Sequence, residues 1–229
     1  MKILAIDTST MMGSIALSDN DQLVAEYQIG IKSTYSDVLL PVIDHLLNHA
    51  NVAIHEVDGF ALALGPGSFT ALRIGVSLVK GLALSLGKPI VGIPSLDGLA
   101  QNVCFSNLLI CPLLNARKGE VYTAFYKSND AYSIEKLTPD RAINPEKLLD
   151  EIGEEVIFLG DGCAMYREKI TERLKNAFFA PPHLNCPRAS SISTLASKKF
   201  ENNEIMDADI LTPVYVRAPE AEVNLKKRI

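Results

Sequence analysis

None of the four cysteines, Cys104, Cys111, Cys163 and Cys186, stands in a Cys-x-x-Cys pair. Neither a zinc site nor a disulfide framework is therefore expected, and free thiols in a reducing cytoplasm are. Positive charge is short as well: 22 lysines and arginines face 27 aspartates and glutamates, for a net charge of −5. A chain this acidic has little with which to displace counterions from RNA, so if RNA is the substrate a partner has to bring most of the basic surface. No stretch is expected to span a membrane, and Asp7 interrupts the apolar start before it reaches the length of a signal-peptide core. His45 and His49 are four apart but lack the glutamate of a His-Glu-x-x-His site, and with Asp44 and Asn48 they make the polar side of an amphipathic helix. Around His55 and His183 no triad can be read, and no serine or cysteine nucleophile has a placed base and orienting acid.

What is present is led by Gly65-Pro66-Gly67-Ser68-Phe69-Thr70-Ala71-Leu72-Arg73-Ile74-Gly75. An apolar strand at 59–64 enters this turn, and a helix over 71–86 leaves it, with Ser68 or Thr70 placed to cap its start and Gly87 and Pro89 to stop it. Two glycines around a proline form either a plain strand-to-helix connector or a cradle whose amides face a phosphate. The connector is favoured. No Gly-Lys-Ser/Thr follows, and Arg73 sits a turn inside the helix. That helix has only two charges, Arg73 and Lys80, seven residues apart and so on one stripe, with Val76 and Leu84 beside it. A helix apolar nearly all round serves its own core, a partner, or each with a different face.

With 48% hydrophobic and 21% charged residues over 229 positions, the chain can bury a sizeable core in one or two domains. Strands are expected at 2–7, 13–18 and 23–29, with Asp19-Asn20-Asp21 as a turn of an antiparallel meander. A helix over 36–50 follows, placing Leu39, Ile43, Leu46 and Leu47 on one face, with Pro41 kinking or tightening its first turns. A strand at 89–93 closes this part. Further on, strands read at 108–114, 121–127, 132–137 and 156–159, and helices at 145–152, 164–175 and 191–200. The order strand, meander, helix, strand, helix, strand is that of an actin-like, ribonuclease H-like (ASKHA) α/β half. The division expected is 1–102 for a first half, 103–189 for a smaller second half, and 190–229 for a final helix returning to the first half plus a tail. No internal repeat or low-complexity linker separates them.

Together with the glycine turn, the segments Ile3-Leu4-Ala5-Ile6-Asp7-Thr8-Ser9-Thr10, Leu114-Asn115-Ala116-Arg117-Lys118-Gly119-Glu120-Val121-Tyr122, Gly160-Asp161-Gly162 and Thr212-Pro213-Val214-Tyr215-Val216-Arg217 closely resemble the bacterial TsaB (YeaZ) family. That family works in forming threonylcarbamoyladenosine on transfer RNA. One departure is Ala71, where the family usually carries glycine. The resemblance implies a non-catalytic subunit that binds and stabilises a TsaD-like catalytic partner, with a TsaE-like ATPase joining the assembly, homodimerisation when alone, and only indirect contact with tRNA. By position it implies a partner and dimer surface on the two helices of the first half: Leu39, Ile43, Leu46, Phe69, Leu72, Arg73, Val76, Ser77, Lys80, Ala83 and Leu84. It also implies that catalytic relatives carry two histidines four apart where this chain has Ser95 and Leu99, which cannot replace two imidazoles at a metal. In an actin-like ATPase, Asp7, Thr8, Ser9 and Thr10, with Gly65 and Gly67 near, would be the first phosphate turn. Here they read as a vestige or as a hydroxyl-rich turn in which Asp7 satisfies nearby amides. No cofactor and no metal are expected. The competing readings are an actin-like ATPase or kinase, a metal-dependent peptidase, or a scaffold of another complex.

Overall fold

The computed structural model describes residues 1–31, 34–130 and 133–217. Its first sheet takes β1 (Lys2–Asp7), β2 (Met12–Asp19), β3 (Gln22–Gly30), β4 (Gly59–Gly65) and β5 (Ile90–Pro94) in the order β3-β2-β1-β4-β5. The meander β1-β2-β3 is antiparallel, and β4 and β5 then add in parallel. β1 and β4 are buried along nearly their whole length, as expected for strands covered on both faces.

On one face lie α1 (Leu39–His49) and α2 (Phe69–Leu86). Their inward side chains join Leu4, Ile6, Ile15 and Leu62 of the sheet in a common core. A single-turn helix, Tyr35–Asp37, precedes α1, so the expected single helix over 36–50 is two pieces. Pro41 sits exposed in the first turn of α1, where its missing N–H would have had no partner anyway. Ser68 occupies the position before α2 without its side chain capping the helix, whereas Gly87 ends it in the left-handed conformation. α2 has the length and composition of a membrane span, contrary to the sequence reading; six of its 18 residues are buried in the protein, and the others are half-buried or exposed.

A second sheet repeats this plan. β6 (Leu109–Pro112), β9 (Tyr126–Asp130), β10 (Ser133–Lys136), β12 (Val156–Leu159) and β13 (Ala177–Phe179) run in the order β10-β9-β6-β12-β13, again antiparallel on one side of β6 and parallel on the other. Two of the expected strands here are each divided. Residues 108–114 split into β6 and β7 (Leu114–Arg117), and 121–127 into β8 (Glu120–Thr123) and β9, because a small third sheet, β11-β8-β7 with β11 at Arg141–Ile143, peels away between them. Tyr132, the expected start of β10, lies outside the described residues. Helices α4 (Pro145–Asp150), α5 (Gly162–Arg173) and the short α3 (Ser95–Gln101), which no periodicity announced, complete this part. Asn144 caps α4, its side chain accepting from the Glu146 amide at 2.9 Å.

α6 (Ala189–Glu201) returns to the first sheet and covers the face opposite α1 and α2, where Ala189, Ile192 and Ala196 meet Ile3, Ala5, Ala16, Ala61, Ala63, Val91 and Ile93. It is pinned by Glu26 of β3, which accepts from Arg188 and from the amide (3.0 Å) and hydroxyl (2.8 Å) of Ser190.

Candidate functional site

Both sheets end their parallel strands at one place. β1 gives way to Asp7-Thr8-Ser9-Thr10, β4 to the glycine turn, and in the second sheet β12 gives way to Gly160-Asp161. In open α/β sheets ligands bind beyond the carboxyl ends of the strands, at the point where the strand order reverses. A cleft of about 340 Å³ opens there, lined by Met11, Met12, Ile31 and Pro187 with Thr10 and Asp161 among the polar groups.

Of the four residues of the first turn, only Thr10 lines that cleft. Asp7 is 0% exposed, and one carboxylate oxygen accepts from the Ser9 amide at 2.7 Å and the Ser9 hydroxyl at 2.6 Å. Its other oxygen has no hydrogen-bond partner among the described residues. Burial, only partly offset by the two Ser9 bonds, pushes this carboxyl from 3.8 up to about 6. The remaining hydroxyls are spent on the protein: Thr8 donates to the Ala71 carbonyl at 2.8 Å and Thr10 to the Met12 carbonyl at 2.9 Å. Tyr35, which no sequence signal marked, donates to the Thr10 carbonyl at 2.7 Å, and burial with the nearby Asp7 charge raises its pKa above the usual phenol range.

The glycine turn seals the same place from the other side. Gly65 donates its amide to Ser95 Oγ at 3.1 Å and Ser68 donates to the Ser9 carbonyl at 2.7 Å, so neither amide faces outward as in a cradle. A Cβ on Gly67 would strike the Ser9 carbonyl oxygen, and one on Gly75 the Thr8 hydroxyl, which is why α2 can press against the turn so closely. The groups a phosphate turn would offer are thus largely turned inward: the Ser9, Gly65 and Ser68 amides and the Thr8, Ser9 and Thr10 hydroxyls bond within the chain, and the acid is enclosed. Among the described residues, no group of three or more His, Cys, Asp or Glu could hold a metal ion.

Ser95 and Leu99 lie on α3 and are both fully buried, Ser95 against the glycine turn and Leu99 in a core with Leu96, Val103 and Ile110. Between them Asp97 faces the second sheet, accepting from Tyr126 Oη and Lys136 Nζ, each at 2.8 Å. His45 and His49 are exposed, with ring centroids 4.2 Å apart and, among the described residues, no acid completing a metal set.

The expected interface residues divide into two groups. Leu39, Ile43, Leu46, Leu72, Val76 and Ala83 point into the core, which corrects their assignment as contact residues: the periodicity that makes each helix apolar also turns these positions toward the sheet. Val76, read as outward, is 5% exposed. Arg73, Ser77 and Leu84 are exposed, and Phe69 and Lys80 are half-buried; Leu84 is 54% exposed. The two cations are engaged within the chain. Residues 206–217 form a strap antiparallel to α2, with Met206 bonded to Ile90, Lys80 Nζ on the Asp209 carbonyl at 2.8 Å, and Val214 bonded to Leu64. Near its end Tyr215 stacks on Phe69 at 4.7 Å and accepts from Arg73 Nε at 3.1 Å, while the Arg73 guanidinium lies 3.9 Å from the Phe69 ring centroid. Arg217 then reaches Glu120 at 2.8 Å. The sequence offered the strap only as a segment of unassigned role.

Residues 18–225 match the family model described as TsaD: tRNA N6-adenosine threonylcarbamoyltransferase. The tRNA threonylcarbamoyladenosine biosynthesis protein TsaB of Bacillus subtilis (strain 168) is 36% identical over 228 residues, covering 98% of this chain and 97% of that protein. Among solved structures, YeaZ from Pseudomonas aeruginosa superposes with a TM-score of 0.80 at 27% identity, over 93% of this chain and 99% of that one. Component A of the (R)-2-hydroxyglutaryl-CoA dehydratase of Acidaminococcus fermentans, at 11% identity and a TM-score of 0.54 over 87% of this chain and 98% of that one, shares the fold alone.

Proposed function

Since the chain belongs to the TsaB family, we propose that it is a non-catalytic subunit of the machinery that makes threonylcarbamoyladenosine on tRNA in the cytoplasm, holding a TsaD-like catalytic partner in its working form. The observation that carries this reading is the pair Ser95 and Leu99. Where catalytic relatives are expected to bind a metal, this chain places a hydroxyl that anchors its own glycine turn and a leucine that fills its own core. Chemistry then falls to the partner, which TsaB-type chains resemble in fold, and related folds offer similar faces for pairing.

The docking face in this reading is the outer side of α1 and α2, where Leu40 and Leu84 are exposed beside Ser77, Gly81 and the strap. A self-complementary face of this kind serves both a homodimer and a pseudo-symmetric heterodimer, and a TsaE-like ATPase joins the latter. Reconstitution tests it: synthase, TsaD-like subunit, TsaE-like ATPase, ATP and unmodified tRNA, with and without this protein. Product should be lost on omission, and the chain alone should make none. Undiminished product without it would overturn the proposal.

A further inference from the structure

Each five-stranded sheet has two outer strands, and among the described residues three of these are guarded. β5 is bridged at Ile90 by Met206 of the strap, and β13 is three residues long. β10 has four residues, carries Glu135 and Lys136, and begins with a register shift. Cover, short length and charge are ordinary means of keeping a sheet edge from pairing. β3 has none of them. At nine residues it is the longest strand, it contains neither lysine nor proline, and its one charge, Glu26, is spent on Arg188 and Ser190. A register shift between Leu17 and Ser18 leaves Val24 out of the ladder with β2, and from Ala25 to Gly30 the pairing is regular. The faces of this edge are also unfinished. Ala25, Tyr27 and Ile29 lie on the side covered by α1 but are only half-buried, Tyr27 meeting His45 with ring centroids 5.5 Å apart. Glu26 and the exposed Gln28 alternate with them on the side of α6.

We propose that β3 pairs antiparallel with β3 of a second copy of this chain, about a two-fold axis at Tyr27, so that the two first sheets run on as one. A two-fold axis normal to a sheet edge makes the pair antiparallel, the stabler arrangement, and sets each residue opposite the one equally far beyond the axis, on the same face. Tyr27 then faces Tyr27 of the second copy, and Ala25 faces Ile29 in both directions. Each half-buried apolar group on the α1 side thereby meets another across the strands. On the α6 side the amide of Gln28 lies opposite Glu26, whereas an axis at Glu26 would oppose two carboxylates. The strand complements itself in charge and in apolar pattern, which is the ground for assigning a second copy rather than a foreign strand. α2 packs over β4, three strands away from β3, so its outer side stays free. On the function proposed above, a complex with the TsaD-like partner would then hold two copies of each chain.

The test uses the full chain with Leu84→Asp, which removes the α2 contact of the docking reading. Light scattering should still give the mass of two copies. Adding Tyr27→Lys, which sets two ammonium groups face to face, should raise the dissociation constant by about tenfold. Register is read separately by cysteine substitution, with oxidised glutathione as the oxidant and the wild-type chain as the baseline for its four native cysteines. Tyr27→Cys should link to itself, since opposed residues have Cα atoms about 4.5–5.5 Å apart. Ala25→Cys and Ile29→Cys should each fail to link alone and should link when mixed. A single-copy mass for Leu84→Asp overturns the proposal, as does a dimer indifferent to Tyr27→Lys with no link at Tyr27→Cys. Protection of β3 from hydrogen exchange only after a TsaD-like subunit is added to a single-copy chain overturns it too, because the edge then belongs to that partner. Should Tyr27→Lys fail to fold, the cross-links decide. The mass and the cross-links are read on this chain alone, so failure of the TsaD-like reading is seen separately, in the reconstitution.

Discussion

Asp7 carries a carboxyl that folding removes from water while giving, among the described residues, only one of its oxygens a partner. Its folded-state pKa of about 6, against 3.8, means that the native chain holds this proton more tightly than the unfolded one. Stability from this group is therefore present in full below about pH 4 and is lost as pH rises through about 6. The rise, at about 1.36 kcal/mol per pH unit, amounts to about 3 kcal/mol. Asp7→Asn keeps the Ser9 bonds without the charge, so it should melt higher than wild type at about pH 8, with the gap closing toward about pH 4; scanning fluorimetry over that range would show it, and a pH-independent gap would refute it. Gly67→Ala tests the other side of the turn. The obstacle is the backbone oxygen of Ser9, which cannot swing away as a side chain can, and a loss of about 1–3 kcal/mol is expected in chemical denaturation. The hydroxyls and the Asp7 bond to a nearby amide were legible in the sequence, whereas the unpartnered second oxygen of the acid was not. Tyr35 was not, because a bond to a carbonyl 25 residues away leaves no local pattern.

At the level of the element, α2 divides its apolar residues between two surfaces that the sequence could not tell apart. Val76 and Leu84 both flank the charged stripe, yet the first is in the core and the second in water. Val76→Asp should accordingly cost more than about 4 kcal/mol and leave little folded protein. Leu84→Asp should change monomer stability by no more than about 0.5 kcal/mol while weakening self-association and partner binding, measured by light scattering and gel filtration. Equal behaviour of the two variants would show that the faces are wrongly divided. The cations of the stripe were open to an intermolecular role on sequence alone; the strap takes them instead, and Tyr215→Ala should release about 0.5–1.5 kcal/mol of ring contact. Helix and strand periods revealed α2 and β4 within a residue or two. They missed α3, whose seven residues are too few for a period to register.

Across the whole molecule, the repeated strand plan was only half visible in the chain. The first sheet has long uninterrupted strands, whereas the second is interrupted by the β7-β8 hairpin, so apolar runs at 108–114 and 121–127 each serve two sheets. One polar contact holding α6 on the first sheet is Glu26, whose buried carboxylate meets the half-buried Arg188 and Ser190 from more than 160 residues away. Glu26→Ala would leave their donors without an acceptor, a loss of about 1–3 kcal/mol. Hydrogen exchange should then quicken in α6 and on β2 and β3 together, while the second sheet keeps its protection. Quickening confined to the first turn of α6 would show that the anchor is merely a local cap.

The return of α6 also fixes when the molecule can come into being. β1 leaves the ribosome well before α6, and at about 5–20 residues per second roughly ten to forty seconds separate them. Throughout that interval Ile3, Ala5, Ala61, Val91 and Ile93 lack the α6 side chains that cover them in the folded protein, so one face of the first sheet waits on the last helix described. A chain truncated before Ala189 should therefore show apolar dye binding and rapid digestion in limited proteolysis, although every residue of α2 is present.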